Sequence, residues 1–134
     1  MPASISVRLS GVVECDPDGC PLGECSDLNA VHNLPQSPSG LGCYYRASLD
    51  ACGEGYGSIQ LRFLEVAGNK VRVRGRVWES DILSAEWWED IDMDEEGKID
   101  CSSIGSLSLR NTTACGPLEG QAFCIYDAAS FEVL

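Results

Sequence analysis

Histidine and basic side chains are what this sequence has least of: one histidine, His32, and nine lysines and arginines against 21 aspartates and glutamates, for a formal net charge of −12. A single histidine, with no acidic or nucleophilic neighbour in sequence, leaves little room for a Ser-His-Asp or Cys-His arrangement. No phosphate-cradling glycine loop, dinucleotide fingerprint, zinc-peptidase signature or nucleophile elbow is present. The chain therefore reads as non-catalytic, with a hydrolase built on a carboxylate pair kept as the third choice. The strong negative charge argues against nucleic acid and anionic membranes as partners of the whole surface. No apolar run approaches the ~20 residues that a bilayer crossing needs, so no membrane span is expected.

Cysteine, by contrast, is abundant. Cys15, Cys20, Cys25, Cys43, Cys52, Cys101, Cys115 and Cys124 make an even count without a single C-x-x-C pair. With only one histidine beside them, disulfides are favoured over a zinc site. Four bridges imply an oxidising compartment, which predicts a secreted or extracellular protein. The opening Met1-Pro2-Ala3-Ser4 carries no apolar leader and is read as a mature form with an added Met. Cys43 and Cys52 share a spacing of nine with Cys115 and Cys124. That pairing is one guess among the 105 connectivities open to eight cysteines.

The sharpest chemical pattern lies between Trp87 and Ser103, where carboxylates recur at alternate positions ahead of Gly97. A calcium ion takes six to eight oxygens, and such a loop can wrap them around one point. Counting Gly97 as the sixth loop position gives Asp92, Asp94, Glu96, the Lys98 carbonyl and Asp100 as ligands. Over about a dozen residues this resembles the EF-hand loop. Glu96 is longer than the usual residue there, and Ser103 stands where a bidentate carboxylate would close the site. The expected affinity is therefore modest, with a dissociation constant of roughly 0.1–1 mM. A solvated acidic loop without an ion is the competing reading.

The remaining pattern is that of strands. Ile5 to Val13 alternate loosely around a break at Gly11, and Ser58 to Val66 with Val71 to Trp78 flank Ala67-Gly68-Asn69-Lys70 as a hairpin. A two-residue loop sets Glu65 opposite Arg72 but Phe63 opposite Arg74. A three-residue loop or a bulge instead aligns Leu61 with Val77 and leaves the arginines outside. Asp27 to Gly42 reads as an irregular surface loop, Ser80 to Asp90 as a short helix capped by Ser80, and Gly105 to Arg110 as another strand. Ile125-Tyr126 and Phe131 to Leu134 supply the closing strand or strands, and Asn111-Thr112-Thr113 is an N-glycosylation sequon.

Two groups are candidate ligand contacts. Arg72, Arg74 and Arg76 alternate and must share one face, where an anionic ligand such as a sulfated glycan would meet them. The simpler alternative pairs them with the acidic segment that follows, since residues 79–100 hold ten of the 21 acids. Trp87 and Trp88 cannot both point inward, which offers one indole to a sugar face, although tryptophan is more often core. The expectation is thus a single all-β domain over residues 1–134, a small disulfide-stabilised antiparallel sandwich or barrel with one short helix before the acidic loop. Its expected task is extracellular recognition of a glycan or protein ligand with calcium as a stiffening ion. A small secreted effector, toxin or inhibitor acting on another protein is the alternative.

Overall fold

Residues 70–79 set the pattern of the whole chain. Val71, Val73 and Val77 are buried while Arg72, Arg74 and Arg76 between them are only half-buried, as the period-two geometry of a strand with one packed face requires. The computed structural model describes residues 4–15, 21–24, 27–37, 43–49, 57–67, 70–92, 107–112 and 123–134. These form β1 (Ser4–Cys15), β2 (Pro21–Glu24), β3 (Val31–Pro35), β4 (Tyr44–Leu49), β5 (Gly57–Ala67), β6 (Lys70–Glu79), β7 (Ile82–Asp92), β8 (Ser108–Leu109), β9 (Asn111–Thr112) and β10 (Phe123–Val133). The strands make two antiparallel five-stranded sheets, one ordered β2-β1-β10-β8 with β3 also on β1, the other β4-β5-β6-β7-β9.

The two sheets face each other across one apolar core. Val7, Leu9, Phe123, Ile125 and Phe131 come from the first sheet, and Tyr45, Ile59, Leu61, Val73 and Trp87 from the second. Phe131 lies directly over Gly75: a Cβ there would come within 2.6 Å of its ring. The Trp87 ring is tilted 45° against Phe131 at 5.6 Å, within the range where aromatic pairs add to their burial. The expected sandwich is therefore present.

Its margins are stitched, which gives it a barrel-like character. At one margin Gln36 bridges Tyr45, and the Ser37 N–H donates to the Tyr44 carbonyl at 2.9 Å. At the other, Ser108–Leu109 pairs with β10 and Asn111–Thr112 pairs with β7, so one short segment crosses between sheets at Arg110. Such crossings cover edges that would otherwise offer unpaired backbone.

Along β1 the partner on one side changes midway. Residues Ser4 to Arg8 pair with β3, and Val13 to Cys15 pair with β2. Between them Asn29 supplies what a strand would. Its Oδ1 accepts from the Val12 N–H at 2.9 Å and its Nδ2 donates to the Val12 carbonyl at 2.7 Å. Gly11 beside it has φ +75 and sits 2.7 Å, by its would-be Cβ, from the Ala129 Cα. The register against β10 shifts at this point, and a glycine bulge is the ordinary way to make such a shift. The break expected at Gly11 is thus a bulge inside one strand.

Three expectations are corrected. Residues 80–90 form no helix: Ile82–Asp92 is a strand, because Ala85 and Trp87 pack inward while Glu86, Trp88 and Asp90 alternate outward against β6. Ser80 is no helix cap but a turn residue with φ 54. Within the expected irregular loop, Val31–Pro35 zips onto the first half of β1. The strand expected over Gly105 to Arg110 is, within the described residues, only Ser108–Leu109.

The hairpin has the Glu65–Arg72 pairing and a bulge, but neither the Phe63–Arg74 nor the Leu61–Val77 alignment that was expected. Ala67 pairs with Lys70 and Glu65 with Arg72, and a bulge between Phe63 and Glu65 then sets Phe63 opposite Val73. Leu61 faces Gly75, leaving Val77 to Ile59. Cys43 and Cys124 are each buried, and each is disulfide-bonded. The side chains of Cys15, Cys20, Cys25, Cys52, Cys101 and Cys115 lie outside the described ones. Among the described residues, no helix is long and apolar enough to cross a membrane.

Candidate functional site

Strand alternation that sends Val71, Val73 and Val77 inward puts a second set of side chains on the outer face of the β4-β5-β6-β7 meander. Register aligns them in rows. Tyr44, Arg62, Arg74, Trp88 and Asn111 are successive cross-strand partners, and so are Arg46, Gln60, Arg76 and Glu86. Five arginines (Arg46, Arg62, Arg72, Arg74, Arg76) and Lys70 share this face with three carboxylates among the described side chains, Glu86, Asp90 and Asp92. Glu65 stands opposite Arg72 in register. Among the described side chains the face is cationic, on a chain that carries −12 overall.

The ion pairs are of two kinds. Glu86 accepts from Arg74 Nη1 at 2.7 Å and from Arg76 Nε at 2.6 Å, all three side chains being at most 21 % exposed. One carboxylate thus serves two guanidiniums in a shielded setting. Arg72 grips Asp90 bidentately, Nε to Oδ1 at 2.9 Å and Nη2 to Oδ2 at 3.2 Å, but nearer solvent, where such pairs contribute little. Arg72 also lies over the Trp88 ring at 3.9 Å, and Arg62 over the Tyr44 ring at 4.9 Å. Both are within cation–π range.

Arg62 stands directly opposite Arg74, and like charges directly opposite on a sheet destabilise it. Arg74 has Glu86; among the described residues Arg62 and Arg46 have no carboxylate. Arg62 Nε is buried without a hydrogen-bond acceptor. An anion brought to this face would relieve that repulsion.

The hydrogen bond from Arg72, ahead of its charge, holds the Asp90 carboxyl below the usual carboxylate range. Because the folded-state value is lowered, the stabilisation from this group is present above the ordinary carboxylate pKa and is lost as pH falls through the lowered one. The Arg72→Ser variant should titrate Asp90 close to the ordinary value, a rise that carboxyl-carbon NMR reads directly. An unchanged Asp90 titration would show that Arg72 is not the cause.

Of the residues expected to bind ligand, Arg72, Arg74 and Arg76 do share one face, and each meets a carboxylate of β7. Trp88 is on that face, while Trp87 is fully buried against Phe131 and presents no surface. Of the expected calcium ligands, Asp92 ends β7 with its Oδ1 3.1 Å from Lys70 Nζ. Asp94, Glu96, Lys98 and Asp100 lie outside the described residues. Asn111 of the sequon donates its Nδ2 to the Trp88 carbonyl at 3.1 Å, which ties the acceptor nitrogen into the sheet margin.

Sequence reasoning missed Tyr44 and Arg46. The signal was there, since Tyr44, Arg46 and Ser48 alternate with the inward Tyr45, Ala47 and Leu49. No family model, no curated protein and no solved structure matches the chain.

Proposed function

We propose that this chain is an extracellular, non-catalytic recognition module that presents the outer face of the β4-β5-β6-β7 sheet to an anionic ligand. The observation that carries this is the surplus of guanidiniums on that face, ordered in register and interleaved with the rings of Tyr44 and Trp88. A rigid sheet is a suitable platform because its side chains are held at fixed spacings, so little order is lost on binding. The disulfide-bonded Cys43 and Cys124 support an oxidising location for the folded chain. The sequence pattern from Asp92 to Asp100 supports a calcium ion held by those carboxylates and the Lys98 carbonyl.

The net charge does not oppose this reading. At physiological ionic strength the screening length is about 8 Å, so a ligand seated on the face responds chiefly to the arginines beneath it. Guanidiniums also suit carboxylate and sulfate groups, whose paired oxygens they meet bidentately.

Retention on a heparin column tests the face. The double variant Arg62→Ser, Arg72→Ser should elute at clearly lower salt than the parent. The variant Arg8→Ser, which removes a cation paired with Glu132 on the opposite sheet, should elute nearly unchanged. Equal losses from both, or retention that survives the double change, would refute the assignment.

A further inference from the structure

The strand ends of the same sheet hold a groove of about 450 Å³, lined by Arg46, Ser48, Leu49, Ser58, Ser80 and Asp81. Its size falls within the roughly 300–1,000 Å³ of small-ligand pockets. We infer that this groove is a subsite for an acidic sugar residue, with Arg46 taking the carboxylate and the serine hydroxyls and Asp81 taking the ring hydroxyls. This rests on the anionic-ligand reading of the face, to which Arg46 belongs through its row with Gln60 and Arg76.

Four observations point to that chemistry. The lining is a set of short hydroxyls with one carboxylate, one guanidinium and one aliphatic side chain, which matches a ring rich in hydroxyls carrying a single negative group. The strands that line the groove are already paired with one another, Ser48 with Ser58 and Ser58 with Trp78. A peptide strand would want an unpaired edge, whereas side chains recognise what settles on a face. Arg46 is exposed and has no carboxylate partner among the described residues, so its charge is available to the ligand.

The fourth observation is strain. Ser80 follows the Glu79–Ile82 pair that opens the β6–β7 turn and has φ 54, a left-handed conformation that glycine adopts readily and other residues rarely. Strained residues of this kind cluster where a site needs their side chain. Here glycine would suit the turn better, and the serine brings a hydroxyl to the groove wall.

That conflict makes the test. The full chain, 15N-labelled, is titrated with an α-1,4-linked tetragalacturonate and with its carboxyl-reduced neutral counterpart, following amide shifts. Perturbations should centre on residues 46–49, 57–59 and 80–81, and the neutral sugar should bind at least about tenfold more weakly, as the loss of a charge-assisted hydrogen bond implies. Arg46→Ser should weaken binding by a similar factor. Ser80→Gly should melt about 2–5 °C higher, by relief of the left-handed strain, and yet bind several-fold more weakly. Since this variant is the more stable one, lost binding cannot be put down to misfolding.

If Ser80→Gly and Arg46→Ser bind as the parent does, the subsite is refuted. Shifts confined to the Arg62, Arg74 and Trp88 row would also refute it, while leaving the face intact as the binding surface. No response to either the tetrasaccharide or heparin would overturn both.

Discussion

Changing Asn29 to alanine is expected to lower the stability of the fold by about 2–4 kcal/mol, because it strips two hydrogen bonds from a buried backbone unit at once. Val12 is fully buried, and both its N–H and its carbonyl are satisfied by the Asn29 amide. Residues on either side of Val12 have strand partners, Arg8 with Val31 and Val13 with Glu24. Asn29 fills the place where β3 has ended and β2 has not begun.

The side-chain amide works here because it repeats the donor and acceptor of a peptide group. Asn29→Asp separates the two bonds: it keeps the acceptor for the Val12 N–H and sets a carboxylate oxygen against the Val12 carbonyl. Its cost should be that of one unmade bond or more, about 1–3 kcal/mol. Urea unfolding with an unchanged slope reads both variants. Losses below half a kilocalorie for alanine would mean that water replaces the amide at no cost, and that the gap between β2 and β3 needs no surrogate strand.

Asn29 also shows why part of the fold escaped the sequence. The period-two runs Ile5 to Leu9, Val71 to Val77 and Phe131 to Val133 announce strands because each buries one face. Val31–Pro35 does not announce itself: within it only Leu34 is buried while Val31 is exposed, and Asn33 and Pro35 carry turn signals. Its strand identity is imposed by pairing to β1, a contact between distant residues that local propensity does not record.

The mistaken helix has a different cause. Ile82 to Asp90 holds Leu83, Ala85, Trp87 and acidic residues at spacings that suit either period, and a serine before it suits a cap. What decides is the neighbour. Arg72 and Arg76 on β6 sit opposite Asp90 and Glu86, so only an extended β7 places each carboxylate on its guanidinium. The charge complementarity was legible in the sequence, and its geometric consequence was not drawn from it. The groove residues were less legible still, because Arg46, Ser58 and Ser80 converge only once three hairpin-connected strands are in register.

Glu86 joins the stability of this face to its proposed function, and the change Glu86→Gln is expected to move the two in opposite directions. Its carboxylate is 12 % exposed and accepts from both Arg74 and Arg76. Guanidiniums do not deprotonate in proteins, so the variant keeps both cations in place without the charge that balances them. Breaking one partner of a buried pair costs about 3–5 kcal/mol. The partial exposure of Arg76 brings the expected loss to about 2–4 kcal/mol, since solvent screens part of it.

For an anionic ligand the same change removes a competitor. Glu86 occupies the guanidiniums that a sulfate or carboxylate would seek, so Glu86→Gln should elute from heparin at higher salt while unfolding at lower urea. A conserved-charge variant, Glu86→Asp, should fall between the parent and the amide on both axes. Weaker heparin retention in the Gln variant, with its fold intact by amide NMR, would mean that the face is a closed structural network whose arginines serve Glu86 and Asp90 alone. Stronger retention would show that the carboxylate holds a place that a ligand can take.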